Sequence, residues 1–525
     1  MKNTPVYDPM AGTPDALAHA INCADIALQK GDWSALAMWA ERAVRAAPGH
    51  AMALQWLAHA LDMQGRCGDA LVHWQAAAHS APLDAQACYN YAVALSLAGE
   101  KAAAVVQYQA ALRANPDHTD ALWNYSELLR LSEHFAMAAT CLERLLALGQ
   151  YFKCLHHRLG VCYAALNHPD AEAQLLMSVA KKEDELTRWE LAHYYLARQR
   201  FSEGWDAYAG RFDGEPGHQP VIRHFYERTD GVPLWDGAPL GTATLLVHGE
   251  QGIGDELMFA SIVPDLLQAH PQTKVVLAVF PTLHRLFTEN FADYPQVKVV
   301  PHLRGNVSAQ LDSLPERPVA HLPIGNLAAL FRRRAEDFPG IAWLRTPAHI
   351  DGVIGQKLAL LLPPAPGLLT VGLCWGSNPS VRTQHARQRN IPADLLARQL
   401  ALPTGGMSGV RYVSVLNSDR AAELGCGPEL QALDFSPWLT DMADTAQLLQ
   451  RCDIVVTVCT SLAHLSASLG RETWVLLQHH HEWRWAQERT DSYWYPQVRL
   501  FRQAEPGDWA GVLRDVAATL RTRVQ

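Results

Sequence analysis

Three residue types recur with a 34-residue step in the first quarter of the chain. They are a glycine, an alanine and a proline, at Gly31, Gly65 and Gly99, at Ala43, Ala77 and Ala111, and at Pro48, Pro82 and Pro116. Glycine permits a tight turn between two helices, alanine lets the helices approach closely, and proline ends the second helix. The pattern predicts helical hairpins that stack on their neighbours to bury their apolar faces.

This period resembles the tetratricopeptide repeat, and it predicts five or six hairpins over residues 14–212. Later turns are expected near Glu133, Asn167 and Arg200, with Phe201–Phe212 as the last helix. Such arrays usually bind a protein or peptide, so a protein partner is expected. Alternatively, the array braces a homo-oligomer or the neighbouring domain.

Composition predicts a soluble multidomain protein. A chain of 525 residues is too long for one core, and 49% hydrophobic with 18% charged residues is ordinary for globular proteins. A net charge of −9 argues against general nucleic-acid binding. Because the sequence shows neither a signal peptide nor a long apolar run, we expect a cytoplasmic protein without membrane insertion. The ten cysteines form no CxxC pair, which argues against a zinc site or a disulfide framework.

Turn-rich stretches mark a linker over residues 213–242. Beyond it, short apolar runs alternate with helical stretches, which predicts parallel sheets. The predicted strands are Thr244–His248, Lys274–Val279, Val297–Val300, Leu369–Trp375, Arg411–Val415, Ile454–Val458 and Thr473–Leu477. A proline-rich interruption at residues 363–367 divides this part into lobes 243–362 and 368–505, followed by a helix in 506–525. The predicted fold class is therefore α + α/β.

Two loops follow predicted strands and begin helices, where ligands bind in open α/β sheets. The first contains Gly249, Gln251, Gly252 and Gly254, whose backbone amides are expected to approach a ligand, and it ends at Asp255 before helix Glu256–His270. Its glycine spacing is the reverse of the dinucleotide-binding GxGxxG motif, so a nicotinamide site is rejected.

The second loop precedes helix Leu462–Leu469. Thr460 and Ser461 offer hydroxyls and amides to a diphosphate, or they only cap the helix. His464 is either a ligand contact or a core histidine.

Four strings carry a more specific resemblance: residues 249–255, residues 371–378 with Trp375, Ser377 and Asn378, residues 389–392, and residues 457–464. They resemble bacterial tetratricopeptide-repeat proteins with a glycosyltransferase domain similar to the heptosyltransferases. The resemblance covers nearly the whole chain. It implies a GT-B fold of two Rossmann-like lobes, with a nucleotide-sugar in the C-terminal lobe and the acceptor facing the N-terminal lobe. Trp375, Ser377 and Asn378 are accordingly expected to bind the donor nucleotide. It implies no metal or other cofactor, and the sequence has no Asp-x-Asp motif.

The resemblance also assigns roles. Asp255 matches the proposed general base and Glu250 is a second candidate, with helix capping and solvent exposure as their alternatives. Arg387 and Arg389 are expected to bind phosphate, and Arg389 matches the family's Arg-x-Ile-Pro string. A solvated basic loop is the alternative for both.

Asp444 and Thr445 precede the predicted helix Ala446–Cys452 and form a second candidate anion or ribose contact, although ordinary capping explains Asp444 as well. Cys459 is a departure, because relatives usually have aspartate in the string Val-Asp-Thr. The missing charge points to a different donor sugar or to reduced activity.

The sequence therefore predicts an inverting, metal-independent glycosyltransferase that modifies a protein hydroxyl presented by the repeats. The array is the reason to prefer a protein acceptor, and flagellin is a target suggested by resemblance to repeat-linked flagellin glycosyltransferases. The alternatives are a non-catalytic scaffold with a degenerate transferase domain and a saccharide or lipopolysaccharide transferase.

Overall fold

The structure, a computed structural model, describes residues 14–213, 231–301, 314, 316–346, 352–377, 388–400, 409–416, 423, 430 and 432–524. The chain divides into two compact units, Met1–Asp184 and Glu185–Gln525. This break lies earlier than the predicted one at residue 212, so the sixth hairpin clusters with the α/β part. No helix of the described residues is long and apolar enough to cross a membrane.

The first unit consists of helices that pack in consecutive pairs. Their bounds are α1 Pro14–Lys30, α2 Trp33–Ala46, α3 Ala51–Met63, α4 Cys67–Ser80, α5 Ala85–Leu97, α6 Lys101–Ala114, α7 Thr119–Leu131, α8 Phe135–Ala147, α9 Leu155–Ala165 and α10 Ala171–Lys181. The prediction of an array of helical hairpins is confirmed.

The turn within each hairpin has a left-handed residue at the same phase of the repeat. Gly31, Gly65 and Gly99 have φ angles of 68°, 76° and 82°, and Glu133 and Asn167 continue with 62° and 55°. Glycine adopts this conformation without strain, and asparagine tolerates it better than most residues. The backbone geometry of the repeat therefore persists where the glycine is lost.

The repeated alanines Ala43, Ala77 and Ala111 are completely buried. Each lies in the second helix of its hairpin, where a larger side chain would have to push the packed helices apart. The repeated prolines follow the ends of α2, α4 and α6, where a residue without an N–H group stops the helix.

The second unit begins with helices α11 Thr187–Ala197 and α12 Phe201–Tyr208 and a 3-10 turn Ala209–Phe212. It contains two parallel sheets within the described residues. The first has the order β3-β2-β1-β4 and the second β10-β9-β8-β5-β6-β7. The strands are β1 Thr244–His248, β2 Lys274–Val279, β3 Val297–Pro301, β4 Ala320–Pro323, β5 Leu369–Cys374, β6 Val410–Ser414, β7 Ala432–Asp434, β8 Ile454–Val458, β9 Glu472–Leu477 and β10 Val498–Arg502. These features fit the predicted α + α/β class.

The remaining helices follow the strands. Their bounds are Ile253–Ala260, Val263–Ala269, Pro281–Asn290, Asn326–Phe331, Val353–Leu361, Ala393–Leu400, Met442–Leu449, Ser461–Ser468 and Trp509–Val524. The single helix predicted over Glu256–His270 is thus two helices, and the second has a proline in its first turn. Because proline is compatible with a first turn and not with a helix interior, it begins a new helix here.

Helix α12 packs against the segment after helix Asn326–Phe331, which follows β4. The indole of Trp205 donates a hydrogen bond to the carbonyl of Arg332 at 2.7 Å, and Arg333 pairs with Asp206 at 2.6 Å. Trp205 is 2% exposed and packs edge-on against Trp483. These contacts explain why this hairpin belongs to the second unit.

Candidate functional site

A cavity of about 620 Å³ lies at the carboxyl ends of strands from both sheets. Loops after β1, β5, β8 and β9 line it, and α11 contributes Trp189 and His193. Of the predicted site residues, it brings together Gln251, Gly252, Gly254, Asp255, Ser377, Arg389, Thr445, Thr460, Ser461 and His464. Asn378 and Arg387 lie outside the described residues. The size is that of a small-molecule pocket, and its edge is the one at which α/β sheets bind ligands.

Two helices begin side by side at this cavity, Ile253–Ala260 after β1 and Ser461–Ser468 after β8. A methyl group on Gly254 would lie 2.9 Å from Cδ2 of His464 and 3.4 Å from Cα of Ser461. Glycine at 254 therefore permits the two helix starts to approach. Their N-terminal amides carry partial positive charge, which favours an anion.

Gly249 has a different role from the predicted one. It does not line the cavity, and a methyl group there would overlap the buried carboxylate of Glu256, which accepts the backbone N–H of Phe280 at 2.8 Å. The glycine is needed to leave room for this internal hydrogen bond. The expectation that Gly249 approaches a ligand is corrected accordingly.

Asp255 lines the cavity and also caps its own helix. Its Oδ2 accepts the backbone N–H of Gly252 at 3.0 Å, and its Oδ1 forms an ion pair with Arg484. The side chain is 16% exposed. Asp255 is therefore an ordered carboxylate at the cavity wall, whose two oxygens are already engaged.

Arg484 lies between two carboxylates. Its Nη1 donates to Oε2 of Glu482 at 2.6 Å while Nη2 contacts Asp255. Burial disfavours the charge of this guanidinium, but Asp255 and Glu482 outweigh burial and raise its pKa above the ordinary value. A permanently charged arginine thus faces the cavity.

Glu250 was predicted to be a second candidate base or, alternatively, a solvent-exposed side chain. The structure corrects both, because Glu250 is buried and does not line the cavity. It is 4% exposed, and its carboxylate accepts two hydrogen bonds of 2.9 Å from Arg211, in the 3-10 turn after α12. It also accepts the backbone N–H of Gly325 at 3.0 Å. A buried carboxylate with these partners joins the 3-10 turn to the first sheet and is not placed to act as a base.

Arg389 is the predicted phosphate-binding arginine that the structure describes. Its Nη1 donates to the carbonyl of Cys459 at 2.9 Å, and its Nη2 lies 3.7 Å from Oε1 of Glu482. Its Nε is buried and has no hydrogen-bond partner among the described residues. The guanidinium therefore lies beside the start of helix Ser461–Ser468 with a donor unused.

Hydroxyl groups line the same cavity as this arginine. The hydroxyl of Thr460 caps the helix by accepting the backbone N–H of Leu462 at 3.3 Å. Ser461 lines the cavity at the first position of the helix, and Thr445 donates its hydroxyl to the carbonyl of Asp441 at 3.0 Å. Capping accounts for Thr460, while the cavity position of Ser461 is compatible with ligand contact.

Cys459 stands where relatives usually have aspartate, and its thiol supplies no negative charge there. Burial and the charge of Glu482 raise the pKa of its thiol to about 11. The indole of Trp485 donates to its sulfur at 3.1 Å. The carboxylate whose charge acts on this thiol belongs to Glu482, which also lines the cavity.

His464 is a buried histidine that also borders the cavity. Its Nδ1 lies 2.9 Å from the hydroxyl of Tyr495, and its ring stacks on Trp485 with centroids 5.2 Å apart. Burial lowers its pKa to about 4, so the ring is neutral near pH 7. Trp485, together with Trp483, is buried, so neither is a free stacking surface.

Asp444 and Trp375 do not line the cavity, which corrects both predictions. Asp444 lies inside helix Met442–Leu449, which begins earlier than predicted, and it pairs with Arg285 at 2.5 Å. Trp375 is 1% exposed, and its indole donates to Glu423 at 3.1 Å. Trp375 thus packs in the protein core, and Asp444 forms an internal ion pair.

The histidines at 479–481 form hydrogen bonds within the chain. His479 Nδ1 lies 3.2 Å from the carbonyl of Gln503, and His481 Nε2 lies 2.8 Å from the carbonyl of Ala486. Across the described ranges no three histidine, cysteine, aspartate or glutamate side chains group as metal ligands. These contacts give the triplet a structural role.

Sequence reasoning missed Arg484, Glu482, Trp189 and His193. Arg484 and Glu482 stand in the aromatic segment after β9, and a charged pair just beyond a buried strand was the available signal. For Trp189 and His193 the repeat pattern was misleading, because it assigned their helix to the repeat array and not to the cavity. Their presence in the cavity follows from the hairpin's membership of the second unit.

No family model matches the chain. Protein FlbA of Caulobacter vibrioides is 28% identical over 398 residues, which cover 72% of this chain and 63% of FlbA. The chain therefore spans less than two thirds of that relative's length.

Among solved structures, MamA is 19% identical with a TM-score of 0.30, and covers 34% of this chain and 98% of its own. A tetratricopeptide repeat protein from Parabacteroides merdae is 18% identical with a TM-score of 0.32, and covers 38% of this chain and 81% of its own. The repeat architecture of this chain rests on its own helical hairpins and not on these likenesses.

Proposed function

We propose that this chain is an inverting, metal-independent glycosyltransferase of GT-B architecture. In this proposal it moves a sugar from a nucleotide-sugar to a protein hydroxyl, in the cytoplasm, with the two parallel sheets as its two Rossmann-like lobes. The observation that carries the proposal is the charged cavity at the carboxyl ends of both sheets, where two helices begin beside Arg389 and Arg484.

The anion-binding end of the cavity supports a nucleoside diphosphate. Arg389, the hydroxyl of Ser461 and the start of helix Ser461–Ser468 lie together there. Arginine forks and helix N-termini stabilise the charge of a departing diphosphate without a divalent cation. In an inverting transfer this leaving group departs as the acceptor oxygen attacks the anomeric carbon from the opposite side.

Asp255 is the proposed base on the other side of the cavity. A base must take the proton of the acceptor hydroxyl during the attack, and Asp255 is the carboxylate after β1 that lines the cavity. Its pairing with Arg484 has to loosen, or leave one lone pair accessible, when substrates bind. A carboxylate retains several acceptor sites, so one pairing does not use all of them.

The acceptor class follows from the first unit. An array of hairpins over Pro14–Lys181 offers a long surface to a polypeptide, whereas a small saccharide acceptor would not require it. We therefore propose a protein acceptor, with flagellin suggested by the family resemblance. A homo-oligomer braced by the array is compatible with this proposal.

A second candidate is a non-catalytic scaffold with a degenerate transferase domain. It is favoured by two observations at the cavity: both oxygens of Asp255 are engaged, and Cys459 is a neutral thiol. In that case the repeats recruit a partner and the cavity binds a nucleotide-sugar or nothing. A saccharide transferase differs only in the acceptor.

The first test is calorimetry of the full chain with EDTA and a panel of nucleoside diphosphates and their sugars. The donor site is supported if the nucleotides of one base bind and their affinity falls at least about tenfold in Arg389→Ala. Arg345→Ala is the matched control, because that arginine is exposed and pairs with Asp293 outside the cavity. No binding across the panel favours the scaffold.

Transfer is tested next with Asp255→Asn. If Asp255 is the base, turnover should fall by roughly 10²–10⁴-fold while donor binding persists. Unchanged turnover removes Asp255 from the mechanism, and loss of donor binding assigns it a structural role.

A further inference from the structure

The cavity wall contains an alternating row of charges. Asp255 pairs with Arg484, Arg484 with Glu482 at 2.6 Å, and Glu482 lies 3.7 Å from Arg389. The four side chains are between 10% and 28% exposed. Two arginines that could bind phosphate therefore share one protein carboxylate.

The position of Glu482 matters because its charge has the sign of the expected ligand. It faces Cys459, whose thiol is neutral, and it is the carboxylate that lines the cavity between both arginines. A phosphate that approaches Arg389 must compete with this carboxylate, and repulsion between partly buried like charges is poorly screened. The 3.7 Å between Nη2 of Arg389 and Oε1 of Glu482 is longer than a hydrogen bond, so an anion that comes closer can displace the carboxylate.

We propose that Glu482 pairs with both arginines in the absence of ligand and thereby weakens the binding of a diphosphate. This inference rests on the proposed donor site. It adds that Glu482 controls how tightly the site binds the nucleoside diphosphate product. A diphosphate that binds takes Arg389 and Arg484 from Glu482. The carboxylate then opposes retention of the nucleoside diphosphate after sugar transfer, which favours its release.

The test uses the full chain and calorimetry with pyrophosphate and a nucleoside diphosphate panel of uridine, guanosine and adenosine forms. Glu482→Gln keeps an oxygen acceptor for Arg484 and removes the charge, and we expect diphosphates to bind on the order of tenfold more tightly. The uncharged nucleosides should bind as they do to the native chain. A purely structural role would change both sets or neither.

Two controls define the comparison. Glu482→Asp keeps the charge and should bind diphosphates like the native chain. Glu316→Gln makes the same chemical change in a half-exposed glutamate that pairs with Lys274, and it should have no effect. Glu482→Ala also removes the charge and provides the same comparison if the glutamine variant does not fold.

The outcomes separate the two proposals. Diphosphate affinity that is equal or lower in both charge-removing variants overturns the role of Glu482 and leaves the donor site intact. If neither the native chain nor these variants bind any member of the panel, the donor site itself is refuted. Tighter binding confined to the charged ligands supports the inference.

Discussion

Arg211 and Glu250 form a buried ion pair whose removal should be costly. Their side chains are 1% and 2% exposed, and two hydrogen bonds of 2.9 Å join them. Arg211→Met leaves Glu250 with the backbone N–H of Gly325 as its remaining described partner. An uncompensated buried charge costs about 3–5 kcal/mol, a large fraction of a typical unfolding free energy of about 5–15 kcal/mol.

The magnitude can be separated from lost packing with a double-mutant cycle. Glu250→Gln alone should destabilise the protein similarly, because it leaves the guanidinium buried. Arg211→Met combined with Glu250→Gln has no buried charge, so its loss should be smaller than the sum of the single losses by at least about 1 kcal/mol. Urea unfolding followed by tryptophan fluorescence measures the three variants.

The surface pair Arg345–Asp293 provides the scale for comparison. These side chains are 65% and 69% exposed, so Arg345→Met should cost at most about 1 kcal/mol. The reasoning is refuted if Arg211→Met costs no more than this control, or if the losses of the two single variants simply add.

Three further predictions concern the cavity. Gly254→Ala should destabilise the protein by about 1–2 kcal/mol and Gly252→Ala by less, because only the first puts a methyl group 2.9 Å from buried His464; thermal unfolding compares them. Since burial lowers the His464 pKa from 6.5 to about 4, the unfolded chain binds more protons between these values. Stability should fall by up to about 3 kcal/mol from this group between pH 7 and 4, and His464→Gln should flatten that part of the urea-midpoint profile. Iodoacetamide at pH 8 should label exposed Cys67 before Cys459, whose thiol pKa is about 11, and equal rates by peptide mass spectrometry would contradict this.

The sequence predicted those features that a local pattern determines. The 34-residue phase located the left-handed turns at Glu133 and Asn167, although neither is glycine, because the period reports backbone geometry. Strands β1, β2 and β8 were predicted at their observed bounds, since they are continuous apolar runs. Strands β4, β7 and β10 were missed. β4 and β7 are short, and β10 contains two arginines among its five residues, so their pairing depends on neighbouring strands.

The candidate site was predicted only in part, because contacts distant in sequence decide which side chains reach the cavity. Asp444 pairs with Arg285, which lies 159 residues away, and Glu250 pairs with Arg211, 39 residues away. No local pattern distinguishes these buried partners from cavity residues. Arg389 and Asp255 both line the cavity. Asp255 stands in the first turn of the helix that follows β1, which is a local signal, whereas Arg389 lies in neither a strand nor a helix.

The last prediction concerns the boundary between the two units. It tests whether the sixth hairpin is stabilised by its contacts within the second unit, although its sequence follows the repeat period. A chain beginning at Glu185 keeps α11, α12 and Arg211, whereas one beginning at Asp213 loses them. The shorter chain leaves Glu250 without its guanidinium and removes Trp205 from the carbonyl of Arg332.

We therefore expect the chain from residue 185 to unfold cooperatively, and the chain from residue 213 to unfold at a lower urea concentration, because it loses the burial of Trp205 and the pair of Arg211 with Glu250. Circular dichroism during urea unfolding distinguishes them, and equal midpoints would contradict the argument. The hairpin's sequence continues the 34-residue pattern, but its buried tryptophan and arginine have their partners in segments that follow β4 and β1. Membership of a compact unit is decided by those partners, and the repeat period alone does not contain that information.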